Sequence, residues 1–309
     1  MMNNPLKTLE PNLQGRDFVI GDLHGCFDAF QNLLKNISFD NTRDRMISVG
    51  DLVDRGPNSL ECLELLREPW FHSVLGNHEQ MMLETLHRPG YSSDWFMNGG
   101  NWGRSALNCK ANPHLIPSDL DVALLDLQPL AAELPYLITV NMKNGKKFHI
   151  LHAELPTLPV DLDDDILSNP DDVRKIATVQ CREGDTFVWH RNIFYDLYGR
   201  DLSDRDKIIR SIRYKKNTTV FNAQLSHIIT GHTTLQRPVT VVGQTNIDTG
   251  AWQSNWITIG GYSSGGIAPK KWAGLTCIEL DTWIFYQATD KNFKEIEPFV
   301  VSNEDLNRN

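Results

Sequence analysis

The first ninety residues alternate between short apolar runs and amphipathic stretches, and this rhythm restricts the fold more than any other feature of the chain. DFVIG predicts a strand, and residues 26–36 a helix with Phe27, Phe30, Leu33 and Leu34 on one face. RMISVG predicts a second strand, followed by a helix over 59–67 with Leu60, Leu63 and Leu66 in register. FHSVLG predicts a third, followed by a helix over 78–86 carrying Met81, Met82 and Leu86. Such a repeat gives parallel strands joined by helical crossovers. Open sheets of this type place their sites just past the carboxyl ends of the strands. At those positions stand Gly21-Asp22-Leu23-His24-Gly25, Gly50-Asp51-Leu52-Val53-Asp54-Arg55-Gly56 and Gly76-Asn77-His78-Glu79.

Two more apolar runs end on histidine, His152 in FHILHAE and His232 in HIITGHT. Residues 119–130 predict a helix, and PYLITV and KKFHIL flank the hairpin signal Lys143-Asn144-Gly145-Lys146. The acidic stretch from Val160, VDLDDDILSNPDD, reads as loop. Ser203-Asp204-Arg205-Asp206 resembles a capping box opening a helix through Ile208, Ile209 and Ile212. SHIIT, PVTVV, TNID, LTCIEL and WIFYQA predict strands, and residues 254–271 a long loop. No repeat or linker divides the chain. The expectation is one domain over 15–290, with terminal extensions at 1–14 and 291–309. It holds a parallel-rich first sheet and a more antiparallel second one.

An apolar content of 40% with 22% charge suits a soluble globular chain, and no apolar run reaches membrane-spanning length. MMNNPLKTLEPNLQG lacks the apolar stretch of a signal peptide. Cys26, Cys62, Cys109, Cys181 and Cys277 are scattered, which fits reduced thiols and a cytoplasmic location. A net charge of −9 argues against bulk binding to nucleic acid or an anionic membrane. It does not exclude a phosphorylated substrate, because bound metals dominate the local field.

Asp22 and His24, two apart at a strand-to-loop turn, can converge on one cation. Asp51 follows the next strand, where one carboxylate can bridge two ions. Asn77 offers an amide oxygen, and His152 and His232 offer imidazole nitrogens. This mixture suits Mn, Fe, Zn or Co; an iron–sulfur cluster needs thiolates, and calcium takes oxygen ligands. Taken singly, each string reads more readily as a turn, and each lone histidine as a satisfied core residue. Together, in order and each after an apolar run, they describe a two-metal phosphoester hydrolase.

ISVGDLVDRG, LECLELLREPWF, GNHEQMM, MNGGNW, ELP, the HA of LHAE, GHT and IDTGA resemble the phosphoprotein phosphatase branch of the calcineurin-like metallophosphoesterases. They are similar in particular to the small bacterial and phage lambda-type serine/threonine protein phosphatases. The similarity is dense through Leu86, recurs at 98–102 and His152, and is patchy to Ala251. Stretches 155–188 and 192–225, and the tail from Ser254, exceed that pattern and are unassigned. The resemblance implies an α/β fold, a four-layer α/β/β/α sandwich of two mixed sheets flanked by helices. It implies two divalent ions, manganese foremost, with iron, zinc, cobalt or nickel as substitutes. Asp22, His24 and Asp51 would hold one, and Asp51, Asn77, His152 and His232 the other. A metal-bridging hydroxide would attack phosphorus directly. His78 would protonate the leaving oxygen, Asp54 would orient His78, and Arg55 and Arg191 (in WHRN) would bind phosphate oxygens.

One residue departs from that pattern. The resembled phosphatases carry Arg before Gly-Asn-His, where this chain has Leu75, so one phosphate-binding arginine is missing at the expected place. Symmetrical dinucleoside tetraphosphatases often have Leu there, yet commonly lack the aspartate that stands here as Asp54. The expected activity is phosphomonoester hydrolysis by a serine/threonine protein phosphatase, acting on a phosphorylated protein or small phosphoester, with no membrane partner. A nucleotide or dinucleoside polyphosphate hydrolase is the alternative, and a non-catalytic metal-holding regulator the third reading. Trp95, Phe96 and Trp102 read as core packing or as a substrate wall. Trp252, Trp256, Trp272 and Trp283 read as a lid or as packing of the second sheet. The acidic run 161–165 and the basic run Arg210, Arg213, Lys215, Lys216 read as solvated.

Overall fold

The computed structural model describes residues 4–88, 93–112, 114–155, 162–179, 184–215, 225–241, 243–254 and 268–307. Among these residues the strands are β1 (Leu6–Leu9), β2 (Asp17–Ile20), β3 (Arg45–Ser48), β4 (Phe71–Ser73), β5 (Leu137–Asn141), β6 (Lys147–Ile150) and β7 (His227–Thr230). They continue with β8 (Val239–Val241), β9 (Gln244–Asn246), β10 (Leu275–Glu279), β11 (Ile284–Ala288), β12 (Phe293–Ile296) and β13 (Phe299–Val301). The first sheet has the order β12-β11-β10-β2-β3-β4, the second β1-β5-β6-β7-β9-β8-β13.

Strands β2, β3 and β4 run parallel, as the alternation predicts. The three joints from β2 through β10 and β11 to β12 are antiparallel. In the second sheet β1–β5, β6–β7, β7–β9 and β8–β13 are parallel, while β5–β6 and β8–β9 are antiparallel. The expected bias is thus inverted, although both sheets are mixed. The C-terminal hairpin returns to pair with β2, and local alternation carries no information on which sheet a late strand joins. Strands β1, β12 and β13 also lie outside residues 15–290, so the sheets reach into both segments read as terminal extensions.

Side-chain alternation along each strand builds the layers. Val19, Ile47 and Ile278 of the first sheet meet Ile138, Val140, Ile150 and Ile229 of the second in one buried core. Their neighbours Phe18, Ile20 and Met46 turn the other way. They pack under helices α1 (Phe27–Asn36), α2 (Ser59–Glu64), α3 (Asn77–His87), α4 (Ser93–Met97), α5 (Arg104–Ala111) and α6 (Asp119–Ala132). On the far side Leu137, Leu151 and Ile228 pack against helices 170–177 and 186–189. Val239, Val241 and Val301 are covered by helices 193–197 and 205–215. The stretches that exceed the resembled pattern therefore supply the outer layer of the second sheet. Truncating one of these core aliphatics costs about 2–5 kcal/mol.

Two local readings change. The acidic stretch is not all loop: Asn169 caps a helix that begins at Pro170, where a missing N–H does no harm. Asp164 accepts from the Ser226 amide (2.7 Å) and hydroxyl (2.6 Å) and faces His149 Nε2 at 3.1 Å, so it fastens that stretch to β6. The helix at 205–215 is capped by Asp204, which accepts from the Lys207 amide, and not by Ser203. In the basic run, Arg210 is exposed, and the side chains of Arg213 and Lys215, with Lys216, lie outside the described residues, as do Cys181 and Trp256. No helix among the described residues is long and apolar enough to cross a membrane.

His227, at the start of β7, faces Thr245 Oγ1 at 2.7 Å and lies edge-on to the Trp283 ring at 4.9 Å. Burial lowers its pKa to about 4. A depressed histidine stabilises the fold above its ordinary pKa of about 6.5, and that contribution is lost as pH falls towards 4. The unfolding midpoint should therefore drop between pH 6.5 and 4. His227→Gln, which takes up no proton, should flatten that drop in a thermal-melt series; an unchanged slope would show that this histidine is not a buried neutral group.

Candidate metal centre

The three N-terminal strings meet at the carboxyl edge of β2, β3 and β4, and His152 and His232 reach the same edge from beyond β6 and β7. The geometry centres on Asp51. Its Oδ2 lies 3.5 Å from His24 Nε2 and 3.9 Å from His78 Nε2, and its Oδ1 lies 3.4 Å from His152 Nε2. Asn77 Oδ1 is 2.9 Å from His152 Nε2 and 3.0 Å from His232 Nδ1. Asp22 presents both carboxylate oxygens to the His232 amide, 3.1 Å away. Two triads, His24–Asp51–His78 and Asp51–His152–His232, have ligand atoms within 4.8 Å of one another. Arg55 and Arg191 line one cavity of about 380 Å³ with His232, Tyr195, Tyr198 and Trp252.

Three features fit this cluster to cations. His24 and His152 donate from Nδ1 to the carbonyls of Val53 (2.9 Å) and Val49 (2.7 Å). That fixes each Nε2 as a lone pair aimed inward, the usual arrangement behind a metal-bound imidazole. Burial lowers the pKa of His152 to about 4, so its Nε2 carries no proton at neutral pH and meets the Asn77 oxygen acceptor to acceptor. Finally, Asp22, Asp51 and Asp248 are each 2% exposed and repel one another. Burial pushes all three upward, Asp51 to about 7. Buried carboxylates at such proximity need a compensating positive charge.

The backbone is bent to make this convergence. His24 (φ 44°), Asp51 (52°), Asp54 (73°), Arg55 (69°) and His232 (68°) all hold left-handed conformations. Such strain persists only where surrounding contacts over-determine it. Glu79 supplies the principal contacts. It is fully buried and accepts from the amides of Asp51 (2.9 Å), Leu52 (2.8 Å), Val53 (3.2 Å) and Gly76 (3.1 Å). One side chain at the first turn of α3 thus ties the second string to the third. Close approach explains Gly231: a Cβ there would stand 1.9 Å from Asp22 Oδ1.

His78 and Asp54 are both fully buried and 2.7 Å apart, Nδ1 to Oδ2. The indole N–H groups of Trp95 (3.0 Å to Oδ2) and Trp102 (2.7 Å to Oδ1) donate to the same carboxylate. Burial drives the Asp54 pKa well up, and these two donors oppose the shift. Burial, then the Arg55 charge, drives His78 well down. The guanidinium donates to His24 Nε2 (2.6 Å) and His78 Nε2 (2.8 Å) and lies over the Trp252 ring at 5.1 Å. Glu154 accepts from the amides of Asn192, Ile193 and Phe194 and so fastens the turn that carries Arg191.

The expected ligands Asp22, His24, Asp51, Asn77, His152 and His232, together with Asp54, Arg55, His78 and Arg191, lie in this cluster or along its cavity; Leu75 does not. It is 1% exposed in the core with Leu137, Leu151 and Phe187. The anchoring part of Glu79, together with Glu154 and Asp248, escaped the sequence reading, and Trp95 and Trp102 stood there as packing or a substrate wall without their donor role to Asp54. Glu79 had a signal, since an acid three residues past a helix N-cap often returns to nearby backbone amides. A tryptophan in a sequence reads as packing, and nothing local announces its donor.

The profile of the calcineurin-like phosphoesterase family matches residues 18–235. Serine/threonine-protein phosphatase 1 of Salmonella typhimurium (strain LT2) is 31% identical over 242 residues, covering 78% of this chain and 89% of that protein. Serine/threonine-protein phosphatase 2 of Escherichia coli (strain K12) is 40% identical over 139 residues, 45% of this chain and 58% of that one. A symmetrical bis(5'-nucleosyl)-tetraphosphatase of Actinobacillus pleuropneumoniae serotype 3 (strain JL03) is 46% identical over 71 residues, 22% of this chain and 26% of that protein. A crystal structure described as a putative diadenosine tetraphosphatase shares the fold, with a TM-score of 0.50 at 19% identity over 94% of this chain and 98% of that one. The chain belongs to the calcineurin-like phosphoesterase family, a family of hydrolases.

Because Leu75 packs in the core, Leu75→Arg should not strengthen phosphate binding. It should bury an uncompensated charge and destabilise the protein by several kcal/mol. A melting curve together with the phosphate inhibition constant decides; tighter phosphate binding in a stably folded variant would contradict this placement.

Proposed function

We propose that this protein is a two-metal phosphomonoesterase acting on phosphoserine and phosphothreonine in proteins, with manganese as the working ion. The observation that carries the reading is Asp51, which turns one carboxylate oxygen towards His24 and the other towards His152. Asp22, His24 and Asp51 would hold one ion, and Asp51, Asn77, His152 and His232 the other. Bound there, two divalent ions supply a nucleophile at neutral pH and neutralise the charge that gathers on phosphorus and its oxygens.

The remaining groups bind and move a proton. Arg55 and Arg191 line the cavity, where planar guanidinium donors match the geometry of phosphate oxygens. A phosphate dianion competes for the Arg55 donors now spent on His24 and His78. His78 then offers Nε2 to the leaving oxygen. To give a proton it must first hold one, and Asp54 behind Nδ1 is the group that stabilises the imidazolium. As the bond from phosphorus to the leaving oxygen breaks, that proton passes to the oxygen and the alcohol departs.

Support for a protein substrate comes from the relative matched over most of both chains. The nucleosyl-tetraphosphatase similarity spans 22% of this chain and keeps dinucleoside polyphosphates as the second reading. A non-catalytic role lacks the broken ligand or acid it would need. The four described cysteines are free, which fits a cytoplasmic location. Phosphopeptides and diadenosine tetraphosphate offered to metal-stripped protein with added manganese separate the first two readings; faster turnover of the dinucleotide would reverse their order.

General acid help matters most for a poor leaving group and is worth about 10²–10⁴-fold. His78→Asn should therefore slow a phosphoserine peptide far more than p-nitrophenyl phosphate, whose phenolate departs unaided. Equal losses on both substrates would assign His78 to positioning instead.

A further inference from the structure

Asp54 sits fully buried among three N–H donors, and two of them come from indoles. Trp95 Nε1 lies 3.1 and 3.0 Å from the two oxygens, and Trp102 Nε1 lies 2.7 Å from Oδ1. The two rings are edge to face, 6.1 Å apart at 80°, and both N–H bonds converge on one carboxylate. Packing alone does not demand that convergence. The chain also makes room for it. A Cβ at Gly100 would stand 2.3 Å from Trp95 Nε1, and one at Gly99 2.8 Å from the Arg55 amide. The Gly-Gly pair therefore lets α4 and the following turn press against the Asp54–Arg55 backbone.

An indole N–H only donates, so neither tryptophan can exchange its part with the carboxylate. With Oδ1 taken by Trp102 and Trp95 braced across both oxygens, Oδ2 is left directed at His78 Nδ1, 2.7 Å away. The Ser59 hydroxyl accepts the Asp54 amide at 2.9 Å and fixes the backbone beneath. We infer that Trp95 and Trp102 are positioning residues for proton transfer: they hold the Asp54 carboxylate so that it aligns His78, and touch neither substrate nor ions. This rests on the acid role of His78 and extends it outward by one layer.

Trp102 is the half-buried member and the one to vary. Trp102→Phe keeps an aromatic ring and removes the donor. It should lower kcat on a phosphoserine peptide about 10- to 100-fold, a fraction of the full acid contribution. On p-nitrophenyl phosphate kcat should change less than about threefold, with KM, bound metal and melting temperature near wild type. A benzothienyl-alanine at position 102, which keeps the indole shape with sulfur in place of N–H, should reproduce the same split. In a His78→Asn background the Trp102→Phe change should have no further effect on the peptide, because both act through one proton transfer. Equal losses on the two substrates, full activity of the benzothienyl variant, or additive losses in the double variant would each overturn the inference. If His78→Asn splits the substrates and Trp102→Phe does not, the acid reading stands and this extension falls; if His78→Asn shows no split, both fall.

Discussion

The structure depends on keeping the Asp51 carboxylate buried and correctly turned at a point where the backbone itself is strained. Asp51 has a left-handed φ of 52° and is 2% exposed. Its oxygens face imidazoles on two sides and its own amide is held by Glu79. A carboxylate in such a place is unfavourable without a cation. The surrounding elements make sense as the means of offsetting that cost. The second sheet brings His152 and His232 to the edge of the first, and the inter-sheet core fixes the two edges against each other.

Around this point the site is organised in rings of decreasing chemical directness. Inward-facing lone pairs of histidine, aspartate and asparagine form the innermost ring. Arg55 and Arg191 stand next, at the cavity, with His78 buried behind the Arg55 guanidinium. Outside them come groups whose work is orientation: Glu79 on four backbone amides, Glu154 on three, and the indoles on Asp54. A geometry held to within a fraction of an ångström needs such outer support, because loops alone are too soft.

Most of the innermost ring was legible in the sequence. Ligands at strand ends, bracketed by glycines, repeat in a fixed order, and their chemistry is carried by residue type. The parallel β2–β3–β4 core was legible for the same reason, since alternation of period and turn is local. What was not legible is non-local, apart from one local helix signal masked by its acidic surroundings. The pairing of β10 with β2 inverted the expected sheet bias, and the Asn169–Pro170 helix start hid within an acidic run. Leu75 looked like a missing phosphate ligand because its neighbours in sequence are site residues, yet it faces the core behind the second sheet. Of the late tryptophans, Trp252 lies under Arg55 at the cavity and Trp283 stacks on Phe148 at 5.5 Å; identical residue types gave no hint of that division.

Calorimetric titration of manganese into metal-stripped wild-type and Asp51→Asn protein tests the central claim most directly. If one carboxylate serves both ions, the wild type takes up two per chain, and the single substitution weakens both binding events while the melting curve stays cooperative. An Asp51→Asn protein that binds two ions with wild-type affinity, or a wild type that binds fewer than two, would contradict the account.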